Sequence, residues 1–417
     1  MLRQGRTILN NNDPIYILAG WLIDGTGGPA LSGAMLKVSE GTIVSIGKAE
    51  SCKLDQNNII DFSHCTLLPG FVDSHVHLAM SGTNNMQVRH RQLIAPFNEV
   101  KALILRHLTE QLNHGVVALR DGGDHTGHTL HYIKECQLQE AMPVTVMTAG
   151  KAWHADGRYG KLFGRTPFIG QSLAQSIFRD HDGIDHIKIV HSGLNSLSDY
   201  GRETPPQFDP EQLSEAVKTA NDIGLRTMVH ANGREAVRSA IEAGCHSIEH
   251  GFFMGDENMI RMAQKGITWV PTLFTMEAYS RISRAGSTEA EVAKKNLDHQ
   301  IDQVSRAAGF GVNIATGTDS GSPDVHHGQA ISEEMRLLIS AGLSLESAIK
   351  CATLNGARLL DIEDRVGKLT PGMPTTFVAA MGGPENLPDS LKSLKAVWVQ
   401  EMAWDILPSS KEVKMIN

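Results

Sequence analysis

The sequence predicts an α/β protein: a (β/α)8 barrel of the TIM type, joined to a discontinuous β-sandwich domain built from both termini. Three observations predict it. The middle of the chain alternates eight short apolar strands with helix-like segments, and no strand is left over. Both ends of the chain are strand-like, with Gly and Pro at their turns. Histidine, lysine and aspartate recur at the C-terminal ends of the middle strands, where such barrels assemble their sites.

The N-terminal β region opens with IYILAGWLID (15–24), a strand ending at the turn GTGG. AMLKVSEGTIVSIG (34–47) reads as a hairpin, two alternating runs meeting at Glu40 and Gly41. NIIDFSHCTLLPG (58–70) continues the pattern to Pro69 and Gly70. The barrel strands follow: FVDSHVHL (71–78), VVALRDGG (116–123), VTVMTAG (144–150), HIKIV (186–190), RTMVHA (226–231), SIEHG (247–251), TWVPTL (268–273) and NIATGTD (313–319). Helical patterns lie between them. In PEQLSEAVKTANDIG (210–224), Asp209 and Pro210 supply the cap and first turn and Gly224 the stop. GREAVRSAIEAG (233–244), NMIRMAQKG (258–266), HGQAISEEMRLLISAG (327–342) and SLESAIKCATLNGARLL (344–360) are of the same kind. GKLTPGMPTTFVAAM (367–381) and LKAVWVQEM (394–402) return to strand. Residues 1–69 and 365–417 are thus expected to form the β-sandwich domain and residues 70–364 the barrel. Two long connections, 151–170 after the third strand and 274–291 after the seventh, are expected as loops on the face that carries the site.

The chain has 417 residues, a length that suits one large barrel with an accessory domain. Its formal net charge of -8 gives no reason to expect nucleic acid or an anionic membrane as partner. No window has the apolar length of a membrane span or a signal peptide. The expected partner is a small-molecule substrate, with homo-oligomerisation left open. The five cysteines (Cys52, Cys65, Cys136, Cys245 and Cys351) are odd in number and form no CxxC pair. They point away from a disulfide framework or zinc knuckle and toward a reducing, cytoplasmic setting.

Strand alternation puts Asp73, His75 and His77 on one face of the first strand, with Val72, Ser74 and Val76 on the other. The apolar set suits the helical layer, so the polar set points into the barrel. Two imidazoles spaced as HxH can offer their neutral nitrogens to one metal ion. His230, His250 and Asp319 end three further strands. Lys188, inside HIKIV, shares the inward face with His186 and Val190, while Ile187 and Ile189 face the helices. Six metal-type groups on five strands are a constellation rather than isolated residues. Lys188 has two readings. It pairs with a carboxylate such as Asp73 or Asp319, or burial holds it as a neutral amine able to form a carbamate with carbon dioxide, an anionic ligand that bridges two cations.

GFVDSHVH, HIKIV, MVHANG, SIEHG and ATGTDSG resemble, in order and spacing, the motifs of the amidohydrolase superfamily, in its binuclear branch with a carboxylated lysine. The likeness extends through residues 327–372 and is greatest to imidazolonepropionase-related and Xaa-Pro or Xaa-Lys/Arg dipeptidase-like members. The resemblance implies that His75, His77 and Asp319 hold one metal, His230 and His250 a second, and carboxylated Lys188 bridges them. Zinc is the usual ion, although this ligand set also suits manganese and cobalt. The chain departs from the family pattern at Thr376 and Glu401, where Asp and Gly are usual, and at Asn232, where many relatives carry a second histidine. A histidine-bearing glycine turn after the third strand is replaced by GKAWHADG, in which His154 stands as its loose counterpart.

The activity so implied is cleavage of a C–N bond in a small amide, a dipeptide or N-acyl amino acid, by metal-activated hydroxide. Asp319 would act as general base and then acid, and His154 would stabilise the oxyanion. Arg158, Tyr159 and Asn232 are candidate substrate contacts, Lys151, Lys161 and Arg165 offer further charges for a carboxylate, and Arg281 and Arg284 are similarly placed in the seventh connection. The same ligands would serve a hydrolase of a cyclic amide, lactone or carbamate. A mononuclear deaminase of the superfamily would not need Lys188, and a Schiff-base lyase would use it as nucleophile.

Overall fold

The computed structural model describes residues 6–7, 14–49, 58–136, 143–400 and 402–404. All eight expected barrel strands are present: Phe71–Val76, Val116–Asp121, Thr145–Thr148, His186–Val190, Arg226–Ala231, Ser247–His250, Thr268–Val270 and Asn313–Ile314. Neighbours pair in parallel from first to third and from fourth to eighth. Two sets of hydrogen bonds complete the ring. Between third and fourth strands, the Asp185 amide donates to the Thr148 carbonyl (2.9 Å), and the Thr148 amide to the Asp185 carboxylate (2.8 Å). Between eighth and first, Ser74 N–H donates to Thr316 O (2.9 Å) and His77 N–H to Ser320 O (2.8 Å).

The helices form where the sequence supplies caps and an apolar stripe. Pro210–Asp222 starts at Asp209, whose carboxylate accepts the Gln212 amide in a reciprocal capping box, and the chain turns away at left-handed Gly224. Its buried residues, Leu213, Ala216, Val217 and Ala220, recur at helical spacing and share one core with Ile187, Ile189 and Val229 of the strands. The isoleucines of HIKIV therefore face the helical layer, which leaves Lys188 for the barrel axis. Each such fully buried aliphatic side chain contributes roughly 1.5–3 kcal/mol.

The expectation of a long loop after the seventh strand is corrected. Residues Phe274–Ile282 form a helix, and Thr288–Gly309 form another. The first lacks a capping side chain of its own. Glu334, sixty positions on, supplies the cap: its two carboxylate oxygens accept the amides of Leu273 and Phe274, each at 2.8 Å. A cap delivered from another helix leaves no local signature. The third connection does run as an irregular segment, pinned by the short parallel pair Ala152–Trp153 and Gly164–Arg165.

Both termini enter one eight-stranded sheet. The hairpin of Leu31–Ser39 and Thr42–Lys48 turns back onto residues 372–375, where Ile43 exchanges hydrogen bonds with Gly372 and Met373. The sheet curls over its own core of Ile17, Leu36, Ile43, Leu67, Phe377 and Trp398. Thr376 opens the strand Thr376–Met381, so the departure from the usual Asp leaves that strand in place. Glu401, Cys52 and the chain ends 1–5 and 405–417 lie outside the described residues. Among the described residues, no helix is long and apolar enough to cross a membrane.

Candidate active site

The C-terminal ends of the strands deliver four imidazoles, one lysine and one carboxylate to the same place. His75 and His77 rings lie 5.5 Å apart between centroids, His75 and His250 5.0 Å, and His230 and His250 4.5 Å. Each ring has one nitrogen engaged. His75 Nδ1 donates to Glu249 Oε2 (2.8 Å), His77 Nδ1 to Gly123 O (3.0 Å) and His230 Nε2 to Gly193 O (3.2 Å), while His250 Nδ1 pairs with Thr272 Oγ1 (2.8 Å). The carboxylate and carbonyl partners fix three tautomers and leave Nε2 of His75 and His77, and Nδ1 of His230, as lone-pair donors; Nε2 is the unengaged nitrogen of His250.

Asp319 faces two of those nitrogens. Its Oδ1 is 3.6 Å from His75 Nε2 and 3.5 Å from His77 Nε2. Ligand atoms about 2.0–2.2 Å from a tetrahedral ion stand roughly 3.3–3.6 Å apart, so the three atoms fit one cation. Ser322 Oγ donates to the other carboxylate oxygen at 3.1 Å. Burial pushes the Asp319 carboxyl up, against the pull of Lys188. Burial, then the Lys188 charge, lowers His77 to about 4 and His230 to about 3. Burial also takes His75 and His250 well below the ordinary imidazole value. All four are therefore neutral at physiological pH, the form that binds metal.

Lys188 is buried at the centre of the set, and its Nζ has no hydrogen-bond partner. The ion pair with Asp73 is not formed. Asp73 is spent on Thr318, accepting its amide (2.9 Å) and its hydroxyl (2.6 Å), a clasp that ties the first strand to the segment bearing Asp319. No salt bridge joins Lys188 to Asp319 among the described residues. Desolvation lowers the lysine's pKa. An uncompensated buried ammonium costs several kcal/mol, so the arrangement favours a neutral amine or a modified one.

The backbone is strained at this rim. His250 (φ 67°), Thr272 (φ 49°) and Asp319 (φ 56°) are non-glycine residues in the left-handed region, at the ends of three consecutive strands. Each such residue costs about 1–3 kcal/mol, which is characteristic of functional sites.

The remaining expected contacts divide. Tyr159 and Asn232 line the cavity above the histidines, a space of about 280 Å³. The Asn232 amide is largely occupied: Oδ1 accepts the Phe252 amide (3.0 Å) and Nδ2 lies 3.4 Å from Gly193 O. Arg158 is directed to Pro205 O (2.9 Å), and Arg165 stacks over Trp153 and pairs with Asp180; neither lines the cavity. Arg281 pairs with Glu277 on its own helix, and neither Arg281 nor Arg284 lines the cavity. The placement of His154 also corrects the expectation. It is buried outside the cavity wall, with Nδ1 donating to Ala155 O (2.9 Å). The chain crosses directly over it at Gly160, where a Cβ would stand 2.6 Å from His154 Cβ. His154 is accordingly absent from the residues that line the cavity.

The sequence reading missed a supporting layer. Arg120 donates to Glu249 Oε1 (2.8 Å), to Ser74 O (2.8 Å) and to Ser247 Oγ (3.0 Å), so the carboxylate that orients His75 is itself held by a buried guanidinium. VVALRDGG and SIEHG contain both residues, but nothing local says that Arg120 and Glu249 turn inward together.

A second missed group lies under the first connection. His107 Nδ1 donates to Leu78 O (2.8 Å), His327 Nε2 donates to Met80 O (2.9 Å), and the two rings stack at 4.0 Å. Burial, opposed by its hydrogen bond to Met80, lowers His327 to about 4. The unfolded chain takes up this proton near pH 6.5 and the folded chain only near 4. The native state therefore loses up to roughly 3 kcal/mol through this group as pH falls across that window. His327→Gln keeps a donor and removes the titration. Denaturant unfolding at pH 7 and pH 4.5 is expected to show a shallower acid loss in the variant than in the wild type.

The sequence pattern of the amidohydrolase family matches residues 66–402. The chain is 26% identical over 371 residues to ochratoxinase of Aspergillus niger, covering 81% of this chain and 75% of that one. It is 23% identical over 386 residues to imidazolonepropionase of Geobacillus sp. (strain WCH70), covering 82% of each. Among solved structures, a Xaa-Pro dipeptidase with methionine bound in its active site superposes with a TM-score of 0.79 at 27% identity, covering 94% of this chain and all of that one.

Proposed function

The chain belongs to the amidohydrolase family and is a hydrolase, and from that premise we propose that it cleaves the C–N bond of a small amide at a site built for two divalent cations. The observation that carries this reading is Lys188, a buried amine with no partner among four neutral imidazoles and a carboxylate. His75, His77 and Asp319 would hold one ion and His230 and His250 the other. Burial lowers Lys188 to about 8, so the neutral fraction of Nζ is raised; that form would add its lone pair to carbon dioxide and release one proton, giving a carbamate that could serve as an anionic ligand to both ions. Zinc fits the ligand set best, with manganese and cobalt as alternatives.

The cations, when bound, supply an acidified water and a polarised carbonyl. The protein's own groups do the rest. Asp319, whose carboxyl is raised by burial, accepts the proton from the attacking water and passes it to the departing nitrogen. Tyr159 lines the cavity with no hydrogen-bond partner for its hydroxyl among the described residues, and can donate to the developing oxyanion, whereas His154 does not line the cavity. Glu249 and Arg120 hold His75 in one tautomer.

The test is reconstitution with zinc, manganese or cobalt, a metal count, and a screen of dipeptides, N-acyl amino acids, cyclic amides and lactones. The expected result is about two ions per chain and amine release from amides. Hydrolysis confined to esters or lactones would refute the amide reading while leaving the metal site standing. One tightly bound ion with ammonia as product would replace it with a deaminase.

A further inference from the structure

Beyond the metal-type groups the cavity wall mixes apolar side chains with nine polar ones, and Arg89 is the one arginine among them. Arg89, on the helix Met86–Ile94 of the first connection, lines it. Nη1 of Arg89 is tied to three backbone carbonyls, Ser81 (2.9 Å), Thr83 (3.3 Å) and Gly321 (2.9 Å). Its Nε and Nη2 have no hydrogen-bond partner among the described residues. One nitrogen thus anchors the guanidinium, and the other donors stay unspent. Tyr279, on the helix after the seventh strand, also lines the cavity with an unpartnered hydroxyl among the described residues. Arg89 and Tyr279 are close enough to interact electrostatically, and an anchored guanidinium near a free phenol on one cavity wall is suited to receive one carboxylate.

The mouth adds a second requirement. Met86 is 69% exposed, Leu194 55% and Leu162 47%, yet all three line the same cavity from three different connections. Single exposed apolar residues are ordinary, but three converging on one opening mark a surface that an apolar group covers.

Resting on the hydrolytic reading above, we infer that the substrate is an amphipathic amide: its carboxylate binds Arg89 and Tyr279, and its apolar body lies against Met86, Leu162 and Leu194. An N-acyl amino acid with a medium-length acyl chain has this form. Free dipeptides with a charged α-amine do not, because the cavity's two lining carboxylates are engaged: Asp319 faces the metal-type histidines, and Asp124 accepts the amides of Thr126, His128 and Thr129.

The test uses uncleavable probes, so that it reads binding alone. The ketone isostere of N-octanoylglycine, with methylene in place of the amide nitrogen, is compared with its carboxamide and with its acetyl-length analogue. Calorimetry on the metal-loaded enzyme is expected to show the acid binding about 10- to 100-fold tighter than the carboxamide. It should also bind at least about tenfold tighter than the short acid. Arg89→Met is expected to erase the acid preference. Because Arg89 also ties the first connection, Arg89→Lys and Tyr279→Phe are measured beside it; the first should keep part of the preference and the second should reduce it. Equal affinity for acid and carboxamide, or no gain from the longer chain, would overturn the inference. The full preference without cleavage of any amide would sink the hydrolytic reading and leave standing the recognition of a carboxylate and an apolar tail.

Discussion

Lys188→Ala is expected to abolish binding of the second metal ion and to lower kcat/KM on any substrate by well over a hundredfold, since losing even an outer partner of a ligand costs about 10- to 100-fold. The variant should fold. Lys188 Nζ makes no hydrogen bond, so its loss orphans no partner, and removing a buried, unpaired polar group relieves a desolvation cost that offsets the lost packing. An unchanged or raised midpoint of denaturation, together with about one metal per chain, is the expected signature. Intact-mass analysis under mild conditions should find about one added carbon dioxide on the wild type and none on the variant. A variant that keeps two ions and full activity would remove the lysine from the site. A wild-type lysine that stays unmodified in fully metallated enzyme would remove the carbamate.

Glu249→Leu is expected to have the largest effect on stability. Glu249 is fully buried, and the change strips Arg120 of its counter-charge while leaving the guanidinium in place. Breaking a buried pair on one side costs about 3–5 kcal/mol. The double variant Arg120→Met with Glu249→Leu should recover much of that loss, because it leaves no orphaned charge. It should not recover metal affinity. His75 loses its Nδ1 partner in either variant, and binding of the first ion should weaken by about 10- to 100-fold. Denaturant unfolding and metal titration of the two variants separate these roles. Equal metal affinity in wild type and double variant would show that Glu249 serves the fold alone.

Much of the barrel was legible because its strands carry their own signals. HIKIV, RTMVHA and SIEHG carry chemistry-bearing residues within or near the end of each strand, and alternation says which side chains turn inward. The capped pattern from Asp209 to Gly224 was equally explicit. What was not legible depends on partners remote in sequence. The helix Phe274–Ile282 is capped by Glu334, so its own residues read as loop. Arg120 and Glu249 meet across the barrel. The choice among cationic loop residues failed for the same reason. Arg158 and Arg165 looked free and are committed to Pro205 and Asp180, whereas Arg89 sits in a helix whose only local sign is the Asn85 cap. His154 matched a motif position, but the path of the chain over Gly160 decides what it touches.

The clasp between Asp73 and Thr318 has a consequence for how the protein is made. The two residues stand 245 positions apart. At ribosomal speeds of about 5–20 residues per second, His75 and His77 emerge roughly 12–50 s before the strand that completes their ring. Throughout that interval the first strand offers an unpaired edge. Stalled or truncated nascent chains that stop just short of residue 316 therefore present a sticky edge and a metal site lacking Asp319, and this protein should lean on chaperones late in its own translation.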